Sequence, residues 1–139
     1  AKRAAAGANA LQSICIVDEG GYVIALERMN GARITGPEIA IAKAFTASGH
    51  KRSTHLFTRA GGPATVTGEA FGIHAMMPGK FAIFVGGFPI VVNGEVIGGV
   101  GVSGGNGEQD IAVGTAALAA LQAHLGPDYE VRVEADIKL

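Results

Sequence analysis

The stretch between Ile39 and Gly68 carries positive charges without negative ones. This stretch has no acidic residue, contains His50 and His55, and carries four cationic side chains: Lys43, Lys51, Arg52 and Arg59. Because desolvated cations form strong hydrogen bonds with carboxylates, one interpretation is a cradle for a small anion, held by Lys43 and Arg52. The alternative is a solvated basic helix end, since cations are favoured at helix C-termini without any ligand. Both interpretations stay open.

Three side chains are candidates for moving a proton in an acid–base reaction: Glu38, His55 and His74. An enzyme that isomerises a small carboxylate needs such a group beside a cationic clamp. Nothing in the sequence ranks the three. No cluster of His, Cys, Asp and Glu has the spacing of metal ligands, so no metal site is predicted.

Glycine is the most over-represented residue, at 22 of 139. The pattern Gly99-x-Gly101-x-x-Gly104 matches a dinucleotide fingerprint, but it follows a hairpin arm and not the first strand of a βαβ unit, so no nucleotide is predicted. Glycine inside a strand also indicates close approach of another backbone or a ligand. We therefore place the ligand between the basic segment 43–59 and Gly101 to Gly105, where Ser103, Gly104 and Gly105 offer backbone N–H groups.

Two hairpins and three helices must position these residues. Strands are expected at 13–17 and 22–29, and around the Asn93-Gly94 dipeptide, which specifies a type I′ turn between strands 90–92 and 95–102. Phe81 to Val85 is expected to add a short strand. The helices are expected at 2–11, from Thr35 to Gly49 with a Thr35/Glu38 capping box, and from Asn106 to Gly126 with Asn106 and Gln109 at its start. A short helix over 53–60 and a helical turn within 68–74 complete the elements.

Residues 128–139 alternate between apolar and charged side chains, which predicts a half-buried strand or a docking arm. Hairpins imply antiparallel pairing, so the fold class is α+β, with a sheet of about five strands flanked by helices. We expect one domain over residues 1–139, with 128–139 as a C-terminal arm.

Composition excludes several classes of function. The net charge of −1 and an aromatic content of 6% are unlike a nucleic-acid-binding surface. No apolar run reaches the length of a membrane span. The single cysteine, Cys15, lies in an apolar run and is expected to be buried. No signal peptide is recognisable, so a cytoplasmic location is expected, although the chain begins with Ala1 and not with Met.

Several motifs together resemble one known family: Asp18-x-Gly20-Gly21, Asn30-Gly31-Ala32, Lys43-Ala44-Phe45-Thr46-Ala47, Gly86-Gly87-x-Pro89-Ile90 and the run from Gly94 to Gly105 that ends in Ser-Gly-Gly. Over residues 2–125 the chain is similar to the GlcG/HbpS haem-binding-like family. The resemblance implies a profilin-like fold, an oligomer that is often octameric, and haem as a cofactor. One branch is similar to tautomerases of 2-hydroxymuconate-type compounds from aromatic degradation.

The family's haem contacts map onto few residues of this chain. A threonine of the sensor branch corresponds to Thr54, with Thr46 as the second match. The acidic iron site and the N-terminal histidine of other branches have no counterpart here, because residues 2–11 contain no acid and no histidine precedes His50. Neither His55 nor His74 matches a family haem ligand, so we expect weak haem binding, with micromolar affinity of about −8 kcal/mol.

Two functions of different class follow from these residues. The first is a small-ligand-binding protein that takes haem or another carboxylate-bearing ligand. The second is a tautomerase or isomerase acting on a small carboxylate. A homo-oligomer is expected in either case, because the net charge is near zero, 48% of residues are hydrophobic, and the alternating tail has little chain left to pair with.

Overall fold

The two hairpins combine into one antiparallel sheet. In the computed structural model, which describes residues 1–139, β1 (Ser13–Asp18) pairs with β2 (Val23–Arg28), and β3 (Gly87–Val92) pairs with β4 (Glu95–Ser103). Because β1 also pairs with β4, the strand order is β2-β1-β4-β3. Asn93 and Gly94 both have positive φ, at 51° and 83°, as the predicted type I′ turn requires.

Helices cover both faces of this sheet. They are α1 (Lys2–Gly7), α2 (Gly36–His50) and α3 (Gly107–Leu125), and two 3₁₀ turns lie at Thr54–Phe57 and Ile73–Met76. The two faces follow from the alternation of side chains along β1. Ile14 joins the larger core with Val113 and Leu118 of α3, whereas Cys15 faces Ala40 and Ala44 of α2. The α+β class is therefore confirmed.

Glycines of β4 let α2 lie unusually close to the sheet. A Cβ at Gly99 would overlap the carbonyl of Ala44, and a Cβ at Gly101 would overlap that of Ala40. Glycine in a strand was expected to mark the close approach of either another backbone or a ligand. At Gly99 and Gly101 the neighbour is the backbone of α2. Helix α2 fills the space beside Gly101 in which we had expected a ligand, so that part of the predicted pocket is wrong.

The two predicted capping boxes have different outcomes. At the start of α3, Asn106 Oδ1 accepts from Gln109 N and Gln109 Oε1 accepts from Asn106 N, both at 2.9 Å, so this box is confirmed. At the start of α2, Thr35 makes no capping hydrogen bond, and that box is wrong. Gly36 instead sits so close to Ser13 that a Cβ would come within 2.6 Å of the Ser13 hydroxyl.

The sheet has four strands, because the expected strand from Phe81 to Val85 does not form. Threonine hydroxyls bind the main chain of this segment where a neighbouring strand would otherwise pair. Thr46 Oγ1 accepts from Ala82 N at 2.9 Å, and Thr54 Oγ1 donates to Phe84 O at 2.5 Å. Such side-chain bonds offer the backbone an alternative to a sheet ladder.

The C-terminal residues 128–139 wrap along the β3 edge as an arm and do not form a regular strand. Glu130 exchanges two hydrogen bonds with Asn93, and Arg132 N donates to Val91 O. Further along, Ser53 N donates to Ile137 O at 2.7 Å, and the side chains of Val131 and Ile137 are buried. Because the arm pairs within its own chain, it is not a free strand that needs another copy.

Candidate functional site

Lys43, expected to hold a ligand, lies in the interior with its charge already neutralised. Its Nζ donates to Asp110 Oδ2 at 2.9 Å and to Val102 O at 2.7 Å, and both charged side chains are almost fully buried. Burial lowers the pKa of the Lys43 ammonium, although the hydrogen bond that it donates to Asp110 opposes this. Asp110 Oδ1 also accepts from Gln12 Nε2 and Gly105 N, so the pair ties α2 and α3 to the loop after β4.

The remaining cations of segment 43–59 point to separate places. Arg52 lies over the ring of Phe57 at 5.2 Å, and Arg59 Nη1 bonds Asp136 Oδ2 at 3.0 Å. Lys51 occupies the left-handed position that ends α2. The structure therefore does not bring Lys43 and Arg52 together around one cavity.

The three candidate proton carriers are not assembled into one site either. His55 Nε2 lies 2.5 Å from Asp136 Oδ1, and this hydrogen bond is the largest of the causes that lower the pKa of the Asp136 carboxyl. His74 is exposed in the second 3₁₀ turn. Glu38 is exposed in the first turn of α2. Of the three, Glu38 lines a surface cavity of about 230 Å³.

That cavity belongs to a groove along the exposed face of α2, which we call the α2 groove. Two adjoining cavities of about 230 Å³ each share Ala42 and Gly79. The walls are the β1–β2 turn on one side and the segment 79–84 on the other. The remaining lining residues are Gly20, Gly21, Tyr22, Glu38, Ile39, Ile41, Phe45, Lys80, Phe81, Ala82 and Phe84.

Aromatic rings dominate the walls of the α2 groove. Tyr22 and Phe84 are both well exposed, and Phe84 also covers the buried Lys43, whose Nζ is 4.8 Å from its ring centroid. Gly21 is needed beside Phe45, because it has a φ of +83° and a Cβ there would lie 2.5 Å from the ring. Exposed aromatic walls with a nearby cation suit a flat apolar ligand that carries an acid group.

The two threonines expected to contact haem support the groove wall from behind. Thr54 is fully buried, and its Oγ1 accepts from Gly87 N at 2.9 Å while donating to Phe84 O. Thr46, also buried, holds Ala82 N. Both hydroxyls therefore position the segment that carries Phe81 and Phe84, and neither side chain lines the groove.

Sequence reasoning missed most of the groove. Tyr22, Lys80 and Phe84 come from segments far apart in the chain, and nothing in their local pattern relates them. The one usable signal was Ile41 and Phe45, which are four residues apart on α2 and therefore share a face. His50, at the end of that helix, packs its ring edge against Phe81 at 4.9 Å, and burial together with the charge of Arg52 lowers its pKa.

The other candidate residues lie away from this groove. Ser103 is buried at the end of β4, and Gly104 and Gly105 line a separate recess of about 460 Å³. Cys15 is buried, and burial raises the pKa of its thiol to about 11. No group of three or more His, Cys, Asp or Glu is placed to hold a metal ion, and no helix is both long and apolar enough to span a bilayer.

Known proteins are similar to this chain in sequence and in fold. The model of a family described as haem-degrading protein HbpS-like matches residues 1–119. An uncharacterized 15.0 kDa protein from the dhaT–dhaS intergenic region of Citrobacter freundii is 39% identical over 103 residues, which cover 74% of this chain and 70% of that protein.

A longer relative and a solved structure extend the comparison. The corrinoid adenosyltransferase PduO of Citrobacter freundii is 37% identical over 78% of this chain, which spans only 31% of that enzyme. The crystal structure of a PduOC:heme complex superposes with a TM-score of 0.80 at 31% identity, over 85% of this chain and 83% of the other.

Proposed function

Because the chain belongs to the HbpS-like family of haem-degrading proteins, we propose that it binds haem, or a similarly flat carboxylate-bearing ligand, in the α2 groove. The observation that carries this proposal is the set of four aromatic side chains that line the groove, of which Tyr22 and Phe84 are exposed, with Lys80 in the same lining. The haem complex of the similar PduOC supports it.

The residues present fit the porphyrin better than they fit its iron. Apolar walls from Phe45, Phe81 and Phe84 suit the macrocycle, and the Lys80 ammonium suits a propionate. Haem iron requires a His, Cys, Met or Tyr ligand. Tyr22 is the one such residue in the lining, while His74, Met76 and Met77 lie just before Gly79 in the chain.

No side chain that could ligate the iron is held towards the groove by a hydrogen bond. Such a side chain must be immobilised when haem binds, and the entropy lost reduces the affinity for haem. We expect micromolar haem binding, which corresponds to about −8 kcal/mol. Haem would supply redox chemistry at its iron. This chain would supply an apolar surface, a cation for the propionate, and shielding of one porphyrin face from water.

The test is a haem titration followed by the Soret band. Ala42 lies where the two halves of the groove meet, so Ala42→Leu fills it, and we expect affinity to fall about tenfold or more. Ala119→Leu makes the same change at an exposed position of α3 and is the matched control. Lys80→Gln, an exposed position, removes the propionate contact without filling the groove.

The iron ligand is identified in the same titration. Loss or displacement of the Soret band in Tyr22→Phe or in His74→Ala assigns it. Absence of any Soret change in the wild-type protein contradicts haem binding, and equal affinity in Ala42→Leu and the control contradicts the groove. Nanomolar affinity contradicts the expected weakness.

We also propose that a second copy of this chain covers β2. Every residue of this edge strand is exposed, including the apolar Val23, Ile24 and Leu26. An apolar edge with free backbone groups pairs readily with another strand. From the sequence alone, the C-terminal arm was the expected contact between copies; we now propose β2 for that contact.

A further inference from the structure

A further cavity lies apart from the α2 groove, in the recess beside Gly104 and Gly105. Three short segments line it, 9–11, 31–33 and 104–106, together with Gln109, and its volume is about 460 Å³. It shares no lining residue with the α2 groove. We propose that this recess, here called the glycine recess, binds the carboxylate of a small organic acid.

The first reason is its uncompensated positive charge. Arg33 is the one charged residue in the lining, and its guanidinium makes neither a salt bridge nor a hydrogen bond within the protein. No acid lines the recess. The one buried acid of the chain, Asp110, is already neutralised by Lys43 and accepts hydrogen bonds from Gln12 and Gly105. A guanidinium fork matches the two oxygens of a carboxylate.

The second reason is a set of backbone donors without acceptors. The N–H groups of Leu11, Gly31, Arg33 and Gly104 make no hydrogen bond within the protein, and all four residues line the recess. Backbone N–H groups are strong donors, so unpaired ones beside a cavity are available to the oxygens of an anion. The start of α3 is not the source of these donors, because Asn106 and Gln109 close it with their own capping box.

The third reason is that the walls are built to stay open. Arg28 donates twice to Ala32 O, at 2.9 and 2.5 Å, and so holds the turn that presents Arg33. Gly104 has a φ of +133°, and a Cβ there would overlap Leu11 O.

The lining also determines what the site does. Its side chains other than Arg33 are amides and apolar groups, and none of them titrates near neutral pH. The recess therefore binds and orients an acid without moving a proton. This separates it from the tautomerase hypothesis, which needs an acid–base group beside the anion.

The test is an acetate titration of the full chain, followed by amide chemical shifts in ¹⁵N–¹H spectra, with phosphate as a second probe. We expect saturable shifts of the Gly31, Arg33 and Gly104 amides, with acetate binding more tightly than phosphate. Arg33→Gln should weaken acetate binding about tenfold or more, since it removes the charge-assisted bonds. Arg33→Lys keeps the charge but lacks the two-pronged guanidinium, so its acetate affinity should lie between those of the wild-type protein and Arg33→Gln.

Arg3→Gln is the matched control, because Arg3 is an exposed arginine of α1 outside the recess and the change in net charge is the same. Linear, non-saturating shifts in the wild-type protein, or equal losses in Arg33→Gln and Arg3→Gln, overturn the proposal. Haem affinity should be unchanged in Arg33→Gln. The proposal for the α2 groove and the proposal for the glycine recess are therefore tested independently.

Discussion

Lys43 illustrates at the residue scale how the same side chain can be read as a ligand contact or as part of the interior. From the sequence it is a cation in a stretch without acids. In the structure its partner, Asp110, comes from 67 positions further along the chain. Buried ion pairs contribute little net stability compared with apolar replacements, but breaking one leaves an unpaired buried charge.

We therefore expect Lys43→Met to destabilise the protein by about 3–5 kcal/mol. The isolated Asp110 carboxylate would keep only its bonds from Gln12 and Gly105. Urea unfolding followed by circular dichroism measures the loss.

The double variant Lys43→Met/Asp110→Asn should recover part of this loss, because the remaining polar group is neutral and its oxygen still accepts from Gln12. If Lys43→Met alone lowers the free energy of unfolding by less than about 1 kcal/mol, the Lys43–Asp110 pair behaves like a weak surface ion pair, which contradicts its burial.

At the scale of elements, the C-terminal arm is the clearest case of contacts between distant segments. His55 and Arg59 lie in the segment that follows α2, and both side chains bind Asp136 of the arm. Next to this cluster, Ile137 N donates to Ser53 Oγ and Ile137 O accepts from Ser53 N. The cluster therefore lies beside the bonds that hold the end of the arm.

The lowered pKa of Asp136 determines how the arm responds to acid. A carboxyl whose pKa is depressed on folding contributes stability above its ordinary value, about 3.9, and this contribution is lost as the pH falls through the depressed value. We expect hydrogen exchange at the Ile137 amide, corrected for intrinsic rates, to accelerate below about pH 4 relative to the core.

Asp136→Asn should cause the same acceleration at neutral pH, because it removes the charge that His55 and Arg59 bind. Asp128→Asn is the matched control, since Asp128 is an exposed carboxyl of the arm without an ion pair. Equal exchange at Ile137 in the two variants would show that the ion pairs of Asp136 do not hold the end of the arm.

At the scale of the whole molecule, the sheet has one protected edge and one open edge. The arm covers β3 through the contacts of Val131 and Arg132, whereas nothing in the chain covers β2. With a net charge of −1, little electrostatic repulsion opposes association.

We expect sedimentation at micromolar concentration to give a mass above the 14.0 kDa of a single chain. Ile24→Glu should shift this mass towards the single chain, because it buries a charge in an apolar contact. Ile97→Glu, at a similarly exposed apolar residue of β4, should not. A single-chain mass for the wild-type protein refutes the proposed β2 contact.

Local signals were sufficient for the elements whose residues interact with near neighbours. Asn93-Gly94 specifies its hairpin because few other residues tolerate two successive positive φ values. Asn106 and Gln109 specify the start of α3 because each satisfies the other's backbone N–H. Phe81 to Val85 has strand-like residues but no partner strand, and the hydroxyls of Thr46 and Thr54 hold it as a loop.

The family and the α+β class were readable from the sequence, because turn motifs and hydrophobic alternation are local patterns. Of the two proposed ligand sites, the sequence indicated only Gly104 and Gly105 of the glycine recess. Whether a cation such as Lys43 or Arg33 faces a ligand depends on whether the folded chain delivers an acid to it, and Asp110 reaches Lys43 while none reaches Arg33. That pairing results from helix and sheet packing between residues far apart in the chain, and only the tertiary structure decides it.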